Sequence, residues 1–110
     1  MYEFGVEFEN AYECTHPKVD KILNAFGEPH SADMLFENEQ IKIDRLLLQT
    51  GVGMVRSYKI MYIAQLVGTE KFIITCGTVR IANPSKMIEY EKIGKRKLYR
   101  ATRQIWNIQY

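Results

Sequence analysis

Between Lys92 and Trp106 the chain reads KIGKRKLYRATRQIW, in which six bases (Lys92, Lys95, Arg96, Lys97, Arg100 and Arg103) interleave with Tyr99 and Trp106. Ammonium and guanidinium groups neutralise phosphates and release condensed counterions, and aromatic faces stack unpaired bases. The mixture is therefore what a nucleic-acid or other polyanion surface requires. The expected site sets Lys95, Arg96, Lys97, Arg100 and Arg103 on phosphates, with Tyr99 as a stacking platform. The plainer use of the same residues is a solvated, charged edge that discourages strand-to-strand aggregation, with Trp106 in the core.

The formal net charge of +2 conceals an uneven distribution. Residues 1–44 hold ten acids and three lysines, a balance of −7, whereas residues 45–110 hold twelve bases and three acids, a balance of +9. A +9 half attracts a phosphate backbone if the acidic half lies on another face. The same opposition could mate between subunits, so the alternative expectation is a homo-oligomer that binds another protein, as an inhibitor or adaptor does, or a small anionic ligand.

Other candidate chemistry is thinner. Cys14, His16 and His30 supply three metal-ligating side chains, but a structural zinc site wants four in a recognised spacing, so no metal is expected. Thr50, Gly51, Val52 and Gly53 with Arg56 could turn backbone N–H groups toward a phosphate, yet they lack the lysine and following helix of a P-loop. A tight turn is the expected use of the two glycines. Ser31, Ser57, Ser85 and the cysteines have no histidine at a spacing that makes a catalytic pair, so neither an enzyme nor a cofactor is expected.

The elements that must position these residues follow from periodicity. Tyr2, Phe4, Val6 and Phe8 alternate with Glu3, Gly5, Glu7 and Glu9, the pattern of a half-buried strand. Pro17 opens a stretch with Val19, Ile22, Leu23 and Phe26 at helical spacing, which Gly27 stops, so a short amphipathic helix is expected over 17–26. Residues 33–39 read equally as helix or strand. Residues 40–49 read as a strand with a helix as rival, followed by a partner strand over 54–67 that bends near Arg56 and Ser57.

Tyr58 to Ile81 is the centre of the fold, two β-rich runs around Gly68, Thr69 and Glu70. A three-residue loop sets Leu66 opposite Phe72, Ala64 opposite Ile74, Tyr62 opposite Cys76 and Ile60 opposite Thr78, which gives one apolar face and is expected over a two- or four-residue loop, the rival that mixes the faces. The other face, with Met61, Ile63, Ile73, Val79 and Ile81, is also apolar, so both sides need cover from helices, barrel curvature or a second subunit. For 84–108 a hairpin around Gly94 and Lys95 sets Tyr90 against Tyr99 and Glu89 against Arg100, and a strand is expected from Arg96. A helix is the rival, because Leu98, Ala101, Ile105 and Ile108 fall on one side.

The expectation is one α+β domain over 1–110: a curved or barrel-like antiparallel meander of five to six strands with one short helix. Two cysteines and a composition of 46% hydrophobic and 25% charged residues suit a reducing, cytoplasmic interior. No apolar run approaches the roughly 20 residues that span a bilayer, and the acidic, alternating start is not expected to be a secretory signal.

Overall fold

The computed structural model describes residues 3–27, 31–51, 56–81 and 84–108. In chain order these form β1 (Glu3–Phe8), β2 (Tyr12–Thr15), α1 (His16–Phe26), β3 (Ser31–Glu37), β4 (Ile41–Gly51), β5 (Arg56–Leu66), β6 (Lys71–Ile81), a short 3-10 turn (Pro84–Lys86) and α2 (Met87–Trp106). All pairings are antiparallel, in the order β1-β6-β5-β4-β3, with β2 also on β6. The sheet is open, ending at β3 on one side and at β1 and β2 on the other, so the pairing does not make the closed barrel that the sequence allowed.

β1 and β2 act as one edge strand. Phe8 stands opposite Gly77 and Tyr12 opposite Ile74, so Glu9, Asn10 and Ala11 face only Thr75 and Cys76. This one-residue bulge is fixed by Glu9, whose N–H donates to the Cys76 carbonyl at 2.8 Å and whose carbonyl accepts from Thr75 Oγ1 at 3.1 Å. A bulge reverses side-chain parity, so Phe8 joins the same sheet face as Gly77 whereas Tyr12 and Cys14 join the opposite one.

The register of the β5–β6 hairpin differs by one residue from the expected one. Gln65 pairs with Phe72, Ala64 with Ile73, Tyr62 with Thr75 and Ile60 with Gly77, around a four-residue connection, 67–70. The local hydrogen bonds explain the slip. The Thr69 N–H donates to the Leu66 carbonyl at 3.1 Å, making a turn whose third residue, Gly68, has φ 81°, the position where a type II turn needs positive φ. The Thr69 hydroxyl then bonds the Leu66 carbonyl at 2.7 Å and accepts the Lys71 N–H at 3.1 Å, so the loop begins one residue earlier than a Gly68–Glu70 loop does.

Each face of the sheet has its own helix. On one face Ile41, Ile43, Ile60, Tyr62, Ala64 and Ile73 are buried with Leu98 and Ala101 of α2. On the other, Met61 and Ile74 are buried with Cys14 and with Val19 and Phe26 of α1. Burying a side chain of this size stabilises the fold by about 1.5–3 kcal/mol, so both helices are held by tertiary packing. Of the covers that the two-sided hydrophobicity demanded, helices are the ones used.

α1 matches its expected span. β4 is a strand, and the irregularity expected near Arg56 and Ser57 lies in its partner, where the register shifts between Gln49 and Gly51 opposite Tyr58 and Ser57. The hairpin expected around Gly94 is not formed: Met87–Trp106 is one helix, so Tyr90 and Tyr99, or Glu89 and Arg100, are not strand partners. Its Gly94 is a contact glycine, since a Cβ there would lie 2.5 Å from Tyr62 Cε2 and 2.8 Å from Phe8 Cε1. No helix among the described residues is long and apolar enough to cross a membrane.

Candidate nucleic-acid interface

The helical form of 87–106 redistributes the basic residues. At 100° per residue, Gly94, Leu98, Ala101 and Thr102 gather on one side, and all four are buried against the sheet. The opposite side carries Lys92, Arg96, Arg100 and Arg103, and all four are exposed. They form a row about 16 Å long at 1.5 Å per residue, with Lys92 to Arg96 and Arg96 to Arg100 one turn apart. Arg96 Nε also donates to the Lys92 carbonyl at 3.4 Å.

The remaining predicted residues lie at the flanks. Lys95 is half-buried, and the half-buried Lys97 donates from Nζ to the Phe8 carbonyl at 3.2 Å, which ties α2 to the end of β1. Tyr99 is half-buried and packs against the core. Trp106 is also partly buried against the core, and its Nε1 donates to Glu13 Oε2 at 2.6 Å. The structure therefore brings Arg96, Arg100 and Arg103 together with Lys92, and places Tyr99 and Trp106 beside that row, between it and the core.

The acidic residue on the same side of the helix as this row is Glu89, which pairs with Lys86 at 3.5 Å at the exposed start of the helix. Between the acidic and basic halves of the chain, the ion pair seen among the described residues is Arg45 with Asp33. Arg45 Nη1 also bonds Glu91 Oε2 at 2.5 Å, and the Tyr62 hydroxyl donates to the Glu91 carbonyl at 3.1 Å. Burial works against the Arg45 charge, but the hydrogen bond to Asp33 and the charge and hydrogen bond of Glu91 outweigh it and raise its pKa. Burial, with Glu91 beside it, also pushes up the pKa of Tyr62. Arg45 thus anchors the first turns of α2 to β3 and β4, and the row of cations keeps its outward direction.

The other sequence candidates are not assembled. Cys14 is buried under α1, while His16 is exposed and lies 3.5 Å from Asp20; His30 lies outside the described residues. No cluster of three metal-ligating side chains occurs among the described residues. Thr50 and Gly51 end β4, Arg56 is exposed at the start of β5, and Val52 and Gly53 lie outside the described residues.

Sequence reasoning missed a cleft of about 600 Å³ on the α1 side, with Glu7, Glu9, Lys59 and Thr78 on its polar part. The β1–β2 bulge builds it, and alternation alone gives no sign of a bulge. The chain matches no family model, no curated protein and no solved structure.

Proposed function

We propose that this chain is a non-enzymatic binding protein that holds nucleic acid or another polyanion against the outer face of α2. The observation that supports the reading is the row Lys92, Arg96, Arg100 and Arg103, exposed along one side of a helix whose other side is locked to the sheet. A cation every turn or so, on a rigid support, meets a polymer with one charge per about 1.7 Å of duplex axis without reorganisation. Because Tyr99 is half-buried against the core, backbone contact carries the binding and base stacking contributes little. Lys95 extends the positive surface at one flank, while Lys97 serves the helix–strand contact first.

The salt dependence of binding tests this. Four phosphate contacts give a slope of log K against log salt of about −3 to −4, for every sequence alike. A slope near zero, or no binding of RNA, single-stranded or duplex DNA at low salt, overturns the proposal.

A further inference from the structure

The cleft lies on the sheet face opposite α2, and its volume of about 600 Å³ is within the range of small-molecule sites, about 300–1,000 Å³. Its floor includes Met61 and Cys76, and α1 contributes Ile22, Ala25 and Phe26 as one wall. The polar end is built by register: Glu7 stands opposite Thr78, and Thr78 opposite Lys59, in one row across three strands. Strands lie about 4.8 Å apart, so Glu7 and Lys59 start about 10 Å from each other. Among the described residues neither is in an ion pair within 4.0 Å, and the same holds for Glu9.

Glu9 occupies the bulge, and hydrogen bonds on both its N–H and its carbonyl hold its backbone at the cleft. Bulges commonly re-aim a side chain next to a binding site. Two carboxylates thus oppose one ammonium around an apolar floor. The other titratable groups of the lining, the Tyr12 phenol and the Cys76 thiol, are neutral at pH 7 at their ordinary values, and burial first, with their charged neighbours, pushes them further up, to about 12 and about 11. The net charge of the lining is therefore negative, opposite in sign to the α2 row.

From this geometry we infer that the cleft binds a small organic cation, a protonated amine on an apolar body. The amine sits between Glu7 and Glu9, and the body lies on Met61 and Cys76 against Phe26. This site goes beyond the polyanion face, and an anion of the same shape is repelled from it.

Two probes with the same ring and opposite charge test the inference, tryptamine and indole-3-propionate, followed by amide chemical shifts of the full chain. Tryptamine is expected to shift residues 22–26, 59–61 and 76–78 and to bind at least about tenfold tighter than the acid, a difference of about 1.4 kcal/mol. Glu7→Gln with Glu9→Gln should erase that preference while the spectrum elsewhere is unchanged, and Ala25→Phe should weaken both probes alike by narrowing the cleft at its α1 wall. Absence of tryptamine shifts at about 10 mM, equal affinity for both probes, or a preference that survives the double Gln variant overturns the inference. Loss of polyanion binding in Arg96 and Arg100 variants leaves these shifts intact, so the two sites fail or succeed separately.

Discussion

Gly94→Ala sets two effects of opposite sign against each other. In an exposed helix interior, Ala is favoured over Gly by about 1 kcal/mol. Here the new Cβ would stand 2.5 Å from Tyr62 Cε2 and 2.8 Å from Phe8 Cε1. Neither ring can retreat easily: Tyr62 is fully buried and bonded to the Glu91 carbonyl, and Phe8 lies directly against the Gly77 backbone. Overpacking of this kind costs about 1–3 kcal/mol, and two rigid rings put it at the upper end. The net expectation is a loss of about 2 kcal/mol, or on the order of 8 °C in Tm. Urea unfolding at constant m-value reads it directly. Adding Phe8→Leu removes one of the opposing rings, so the double variant should lose less than the sum of the singles by about 0.5 kcal/mol or more. A Gly94→Ala protein as stable as the parent or more so would refute the close helix–sheet contact.

Three further outcomes follow from the packing. Arg45→Ala strands the carboxylate of Glu91, whose side chain is only 13% exposed, and should cost about 2–3 kcal/mol by denaturant unfolding, whereas Asp33→Asn at a 48% exposed partner should cost under about 1 kcal/mol. Cys76, with its pKa at about 11, should have roughly one thiolate in a thousand at pH 8, so a colorimetric thiol reagent should label it in native protein about a hundred times more slowly than in urea. Stability should also fall as pH rises from about 9 toward 11, because the unfolded thiol loses its proton first, and Cys76→Ser should flatten that part of the curve.

How much of this was legible in the chain varies with the physics behind each element. Pro17 and Gly27 punctuate α1, and the Ile-, Tyr-, Thr- and Val-containing runs mark β5 and β6, because local preference and tertiary packing agree there, whereas the leucines 46–48 left β4 open between strand and helix. α2 was obscured by its own contact face. Gly94, Ala101 and Thr102 sit where large apolar residues would advertise a buried stripe, while Ile88 and Ile105 are 65% and 46% exposed. Gly94 in particular has the composition of a turn and the job of a spacer between helix and sheet. The hairpin register slipped because it depends on one hydroxyl, that of Thr69, which composition does not weigh. The basic residues were visible as a group, but only the helix sorts Arg96, Arg100 and Arg103 with Lys92 and turns Lys97 inward to Phe8. The cleft rests on the bulge at Glu9, a feature that alternation extends straight through.

The most direct test of the central claim is fluorescence anisotropy of a labelled duplex and a labelled single strand at low salt, comparing the parent with Arg96→Glu/Arg100→Glu and with Lys18→Ala/Lys21→Ala on α1. Reversing two of four phosphate contacts should weaken both nucleic acids by at least about tenfold and flatten the salt slope, while the α1 variant binds like the parent. Unchanged affinity after the α2 reversal, or an equal loss from the α1 variant, would contradict a binding face on α2.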